Sequence, residues 1–388
     1  MKRVLFFMPD NPLKKSSGNK TRATAFLNYF RSRGFAIDFV SEHQWGEWDE
    51  ETLSEFKESK LADRVYILQR KPNRKNLVAY LLLHKLPEFF YQRKWGIFPL
   101  NFPDLVTYKI KKAFKSILKK NEYDYIFINY ASWSSLIEDN PLLNKAQTVL
   151  DTHDFLTAQY KEKYSIGAAF QEEMRRLSYF DQVLAISVEE QYIFSQFCTT
   201  KVSLAPMMID RPVLSPIPFQ DKQFDIIYVA SDNPHNITAV NWFMHQVYPL
   251  LLSSIRICVI GRITASIKSE SYPNITLIPF AEDLSPWYRQ SKIAICPMLS
   301  GTGTKIKVVE ALSYSLPVVC NTRGVDGLPN KINNGCLVTD HPEHFAQYIT
   351  TLVENGEENS AQSMLAKLTF ESVNEKENCY KRLDEIFI

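Results

Sequence analysis

Residues 297–319 read PMLSGTGTKIKVVEALSYSLPVV. An apolar strand-like run closes at Met298, and a short loop, Ser300-Gly301-Thr302-Gly303-Thr304, turns the chain into a helix. That helix carries Val308, Val309, Ala311 and Leu312 on its apolar side, and a second buried run, Pro317-Val318-Val319, follows a turn. Strand, glycine loop, helix and strand in this order make a βαβ unit, which implies a parallel sheet with a right-handed crossover. Glycines let the backbone approach a ligand closely, and a helix N-terminus offers unpaired N–H groups and partial positive charge to an anion. Lys305 and Lys307 stand where cations are unfavourable for the helix itself, a local conflict that an anion would resolve. Glu310, one turn further on among apolar neighbours, has the two acceptor oxygens that a pair of adjacent ribose hydroxyls would use. A nucleoside diphosphate meets all of these features. An exposed helix with an i,i+3 Lys307–Glu310 pair, worth a few tenths of a kcal/mol, meets them as well.

Working outward, the same alternation runs through the chain. RVLFFM, TRATAFLNYFRSRG and FAIDFVS form a first βαβ unit, with Ala23, Phe26, Leu27 and Phe30 on one helical face. Further strands are expected at 64–68, 123–129, 148–151, 182–187 and 201–206. Residues 207–223, with Pro212, Pro216 and Pro218, read as a linker. A second series then places strands in FDIIYVAS, RICVIG, NITLIPF, IAICPM, PVVCN and CLVTD, with helices at HNITAVNWFMHQVYPLL, LSPWYRQS, HPEHFAQYITTLVEN and 361–386. The organisation expected is an N-terminal Rossmann-like domain, 1–206, the linker 207–223, a C-terminal Rossmann-like domain, 224–370, and a C-terminal helix, 371–388, crossing back to the first domain. The 388 residues, 45% hydrophobic and 23% charged, suffice for two such cores. Two open parallel sheets facing a central cleft would bind a ligand at the carboxyl ends of their strands.

Six cysteines without a CxxC pair read as buried reduced thiols of a cytoplasmic protein. The run Val4–Met8 is too short for a signal core and reads as a buried strand. No run approaches the ~18 apolar residues of a membrane-spanning helix.

The 297–319 segment is similar to the donor-binding signature of family 4-type retaining glycosyltransferases, which have the GT-B fold. The resemblance rests on Glu310-Ala311-Leu312, Pro317-Val318-Val319 and Gly327-Leu328. It extends upstream to Pro234-His235-Asn236 before the helix with Trp242-Phe243, to CVIGR with Arg262, and to DLSPWYRQSKIAICPM. It implies a sugar transferase, hexosyl or related, acting with retention of configuration on a nucleotide-diphosphate sugar. Glu310 would bind the ribose, while Gly301, Thr302, Gly303, Thr304, Lys305, Lys307 and Arg262 would line the donor site. Many members carry a glutamate at the position of Thr302, and an Arg and a Lys where Ser231-Asp232-Asn233 stands here. In the N-terminal half the family places a glycine near the diphosphate and an arginine in the following helix, which Gly18 and Arg22 match. A histidine after a later strand faces the donor sugar, which points to His153, with Asp154 beside it. Asp151, His153 and Asp154 could suggest a metal site, but the DxD pattern expected of one is absent, and the resemblance implies an enzyme that works without an essential metal or other cofactor. A non-catalytic GT-B subunit and a nucleotide-sugar epimerase of the same fold stay open as alternatives.

Residues 64–120 hold 14 Lys/Arg and two Asp/Glu, in a chain whose net charge is +2. In KIKKAFKSILKK (109–120), Ile110, Ala113, Phe114, Ile117 and Leu118 share a helical face and lysines 109, 111, 112, 115, 119 and 120 occupy the rest. Three readings remain open. The first is a packed helix with a solvated face. The second is contact of residues 70–120 with an anionic membrane on its cytoplasmic side, suited to a glycan or lipid-linked acceptor of a bacterial surface polysaccharide. The third, nucleic acid, has no accompanying motif in its support, and no nucleic-acid partner is expected.

Overall fold

The computed structural model describes residues 1–13, 18–71, 77–94, 102–143, 145–213, 215, 217–268, 272–301 and 303–388. The chain divides into two compact units, Met1–Leu204 and Ala205–Ile388.

The first unit is built on a seven-stranded sheet: β1 Arg3–Phe7, β2 Ala36–Glu42, β3 Arg64–Leu68, β4 Tyr125–Asn129, β5 Gln147–Asp151, β6 Gln182–Ala185 and β7 Lys201–Leu204. Every pairing is parallel and the order is β3-β2-β1-β4-β5-β6-β7. The run Val4–Phe7 is thus a central strand, paired on both sides and fully buried. The helix Gly18–Ser32 covers it with Ala23, Phe26, Leu27 and Phe30, as the periodicity predicts. Aromatic rings fill this core, with Phe6 stacked on Phe127 at 4.8 Å and Phe7 against Trp133 at 4.9 Å.

The second unit carries β8 Phe224–Val229, β9 Ile257–Ile260, β10 Ile275–Ile278, β11 Ser291–Cys296, β12 Val318–Cys320 and β13 Cys336–Val338. These strands are also all parallel, in the order β10-β9-β8-β11-β12-β13. Alternate residues serve opposite faces, as the period of a strand requires. Ala294, Cys296, Cys258, Ile260, Val318 and Cys320 pack on Val308, Val309, Ala311, Leu312 and Phe370. Ile293, Ile295, Ile257, Val259 and Val319 pack on Val240, Phe243, Phe345, Ile349 and Leu352. Both faces are dry, which is why these strands read as unbroken apolar runs. All six cysteines are free thiols, five of them buried.

In each sheet the strand order reverses at one point, between β1 and β4 in the first and between β8 and β11 in the second. Neighbouring loops diverge there and leave a crevice at the carboxyl ends. The fold thereby directs attention to residues after Phe7, Asn129, Val229 and Cys296.

Two expectations need correction. The 361–386 segment is two helices, Gly356–Val373 and Lys376–Phe387, broken at Asn374-Glu375. Asn374 is buried and donates to the Met207 carbonyl, while Ile209 pairs with Glu375, so residues before the second sheet pin the break. In the helix Tyr108–Lys120 the apolar face is buried, but so is Lys111, expected among the solvated lysines. Its stem follows the apolar face while Nζ donates to the Glu138 carbonyl at 3.2 Å and lies over the Tyr91 ring.

Gly335, just before β13, has φ +81°, and a Cβ there would come within 2.5–2.6 Å of Ala366 backbone and side-chain atoms. Gly335→Ala combines left-handed strain with overpacking against a core helix. Urea denaturation is expected to show a loss of about 2–4 kcal/mol, with wild-type stability counting against this packing.

Candidate functional site

The switch point of the second sheet holds the glycine loop. After β11 the backbone adopts φ +95° at Gly301 and +76° at Gly303 before the helix Ile306–Ser313 begins. Lys305 is its N-cap and makes no side-chain capping bond. The Lys305 ammonium turns back onto the loop, 2.7 Å from the Gly303 carbonyl and 3.3 Å from that of Gly301. Lys307 reaches across to the loop after β8, where Nζ donates to Asn236 Oδ1 at 2.7 Å above the Tyr228 ring. Asn236 in turn donates to the Ser231 carbonyl, and His235 Nδ1 pairs with Ser300 Oγ at 2.8 Å. The two loops at the crevice are therefore knitted together. Burial lowers the affinity of both lysines for their protons, which favours an arrangement that brings negative charge to them.

Glu310 lies four residues into this helix, roughly 6 Å from its start. The Tyr288 hydroxyl donates to Glu310 Oε2 at 3.4 Å, and Tyr288 stacks on Tyr314. Burial raises the Glu310 carboxyl to about 7, against the opposing pull of Tyr288 and Lys307. Such a group gains from further hydrogen-bond donors. Arg262, just after β9, is exposed and pairs with Asp232 on the β8 loop at 3.0 Å. Thr302 lies outside the described residues, among which the buried Thr304 hydroxyl has no hydrogen-bond partner.

In the first unit the chemistry gathers at the ends of β4 and β5. Asn129 closes β4, and its amide donates to the Phe7 carbonyl at 2.7 Å, which directs Oδ1 to His153 Nε2 at 2.8 Å. Asp151 Oδ2 is also 3.1 Å from Nε2. Both partners are acceptors, so Nε2 carries the proton and Nδ1 is the acceptor nitrogen. Burial pushes the imidazole down to about 4, and the ring stays neutral at physiological pH. Tyr130 stacks on it at 4.2 Å, and both residues have left-handed backbone, φ 70° and 61°. Arg22 is wholly buried and grips Asp151 through Nε at 2.8 Å and a terminal nitrogen at 2.6 Å. Gly18 opens the helix that carries Arg22. Asp154 is raised to about 6 by burial. Among the described residues no group of three or more His, Cys, Asp or Glu is placed to hold a metal ion.

The sequence reading thus names residues that fall into two sets. Gly301, Gly303, Thr304, Lys305, Lys307, Glu310 and Arg262 lie at the strand ends of the second unit, while Gly18, Arg22, His153 and Asp154 lie in the first. It passes over Asn236 as the partner of Lys307, Tyr288 as that of Glu310, and Asn129 with Tyr130 around His153. A polar residue closing an apolar strand, as Asn129 does in YIFIN, was the available signal.

Two parallel-sheet Rossmann-like units with a glycine loop at the second switch point define the GT-B fold. Residues 223–355 match the family described as Glycosyl transferases group 1. Sucrose-phosphate synthase from Thermosynechococcus elongatus superposes over 100% of this chain and 98% of its own, with TM-score 0.67 and 14% identity. HepE of Anabaena, solved in complex with UDP-glucose, gives TM-score 0.66 and 12% identity over 100% and 99% of the two chains. In sequence, the uncharacterized 44.6 kDa protein in the cps region of Klebsiella pneumoniae is 22% identical over 69% of this chain and 76% of its own length.

Near His153, three carboxyl groups are held above their ordinary range, chiefly by burial: Asp154 at about 6, Glu173 at about 7 and Glu190 at about 8. Asp154 raises the other two further by repulsion. The folded state therefore binds more protons than the unfolded chain from the ordinary glutamate range up to about 8, and stability falls as pH rises through this window. Glu190→Gln keeps an acceptor for the Thr152 hydroxyl (3.2 Å) and removes the charge. Thermal melts are expected to show a higher midpoint than wild type at pH 8 and little difference at pH 4.5. A pH-independent effect would refute the assignment.

Proposed function

We propose that this chain is a retaining glycosyltransferase that moves a hexosyl or related sugar from a nucleotide-diphosphate donor to a hydroxyl of a glycan or lipid-linked acceptor. The observation that carries the reading is the helix N-terminus behind Gly301 and Gly303, which its N-cap Lys305 does not cap with a side-chain bond, with Glu310 one turn along, at the switch point of the second sheet. A diphosphate at that N-terminus would meet backbone N–H groups and the ammonium groups of Lys305 and Lys307. One turn further, Glu310 would accept from the two ribose hydroxyls, which resolves its buried charge. Arg262 would supply the cation that Ser231-Asp232-Asn233 does not.

In this reading the helix dipole and lysines stabilise the departing diphosphate without an essential metal, acting where charge develops. His153 takes a positioning part. Its Nε2 proton is held by Asn129 and Asp151, and the neutral Nδ1 accepts a hydrogen bond from a sugar hydroxyl. Arg22 acts through Asp151. The structures of HepE with UDP-glucose and of S. aureus TarM with UDP support a uridine nucleotide as the first donor to test. The likeness to a protein of a cps region supports a role in surface polysaccharide synthesis. Six free thiols support a cytoplasmic site of action, and residues 70–120 would bring the enzyme to the inner face of the membrane.

Thermal shift with UDP-, GDP-, ADP- and CMP-sugars tests this on wild type and Glu310→Ala. A ligand at 100 times its dissociation constant stabilises by about 2.7 kcal/mol. One nucleotide class is expected to stabilise the wild type, with the response lost in the variant. No shift with any nucleotide would overturn the donor site and favour a non-catalytic subunit.

A further inference from the structure

The helical segment Leu77–Lys94 is packed with its apolar side outward. It runs through Leu77–Tyr80, a wide turn Leu81–Lys85, and Leu86–Lys94. Among the described residues the buried ones are Tyr80, His84 and Tyr91, at the i, i+4, i+11 spacing of one helical stripe. Tyr91 packs on Tyr108, and Glu88 accepts from the Tyr108 backbone N–H, which fixes the segment against the helix Tyr108–Lys120. The opposite side presents Val78, Leu81, Leu82, Leu83, Leu86, Phe89 and Phe90 to solvent, with Leu82 58%, Leu83 78% and Phe90 61% exposed. A surface helix ordinarily buries such a stripe, and a contiguous exposed one marks an interaction surface.

The chemistry beside the stripe selects the partner. A groove of about 720 Å³ runs between the two helices. Pro87, Phe90 and Tyr91 line it from the first helix, and Tyr108, Lys111, Lys112, Lys115 and Lys119 from the second. The two acidic residues of the 64–120 stretch do not oppose this charge. Glu88 is spent on the Tyr108 amide, and Asp104 is buried against Arg176 and Ser135. Apolar residues that protrude beside a basic groove are the complement of an anionic bilayer, acyl chains next to phosphates. A protein partner would need to match both features in a rigid surface, whereas a bilayer supplies them everywhere.

We propose that the outward face of Leu77–Lys94 inserts into the headgroup–acyl boundary of an anionic membrane, with a lipid phosphate seated in the lysine groove. The site is separate from the donor loop and does not depend on the transferase reading. It gives the membrane contact a defined orientation, the apolar stripe down and the lysine groove at headgroup level.

Co-sedimentation of the full chain with phosphatidylcholine vesicles, with and without phosphatidylglycerol, tests the proposal. Wild type is expected to bind the vesicles that contain phosphatidylglycerol and to be released by high salt. The variant Lys112→Gln/Lys115→Gln/Lys119→Gln removes three charges, each worth about fivefold near an anionic surface, and is expected to bind about a hundredfold more weakly. Leu82→Ser/Leu83→Ser/Phe90→Ser is expected to abolish binding, and its exposed positions leave melting behaviour and any nucleotide response unchanged. Three results would overturn the proposal: no binding by wild type, equal binding to neutral vesicles, or a dimer in sedimentation velocity that the serine variant dissociates while vesicle binding is absent. A failure here leaves the nucleotide shift intact, and a failed nucleotide shift leaves vesicle binding intact.

Discussion

Arg22 and Asp151 meet where no water reaches, with both side chains fully shielded and the guanidinium held by two nitrogens on the carboxylate. Removing one partner of such a pair leaves an unpaired buried charge, at a cost of about 3–5 kcal/mol. The pair ties the first crossover helix to the end of β5. It also leaves Asp151 Oδ2 in place to face His153, whose ring is then fixed by Asn129 on the same nitrogen and by Tyr130 on its face. Two successive strand ends and one helix thus meet at a single ion pair. The left-handed backbone of Tyr130 and His153 is strain that such a network can sustain.

The second unit meets the same constraint differently. A parallel sheet dry on both faces has one place for polar groups, its carboxyl edge, and there the loops must satisfy one another. Lys305 does so on the carbonyls of its own loop, and Lys307 on Asn236 from the neighbouring loop. These close acceptors are neutral, and Asp326 faces Lys305 at 3.9 Å. That separates this edge from the Arg22 site. One is a short ion pair closed on itself, and the other holds its cations mainly on neutral acceptors, with Asp326 at a longer distance from Lys305.

The strands were legible because both faces are buried. Each one is an apolar run with a turn residue at its end, and the structure differs from the expected bounds by one or two residues. The crossover helix was legible for the same reason, since Ala23, Phe26, Leu27 and Phe30 repeat at the helical period. Asn374 and Lys111 were not. What breaks the C-terminal helix at Asn374 is a bond to Met207, and what buries Lys111 is a carbonyl at residue 138. Contacts between residues so distant in sequence leave no local pattern. The site divides along the same line. Glu310 and the glycines sit in one contiguous motif, while Tyr288 and Asn129 enter from other strands and show only as isolated polar residues. The face of Leu77–Lys94 was legible as apolar, while its cover stayed open between protein and membrane, because apolar runs announce burial without saying which of the two supplies it.

The loop after β8 shows how a parallel edge tolerates a departure from a motif. Ser231-Asp232-Asn233 carries no cation, yet β9 is the hydrogen-bonded neighbour of β8, and adjacent strands lie about 4.8 Å apart. A side chain leaving the end of β9 can therefore meet one leaving the end of β8, as Arg262 meets Asp232. Both members of that pair are largely exposed, and such pairs are worth about 1 kcal/mol or less. In the proposed donor site, exchanging Asp232 for a phosphate would thus be a small step for Arg262, whereas Arg22 is committed to Asp151. Between these two arginines, burial alone decides which one is available to a ligand.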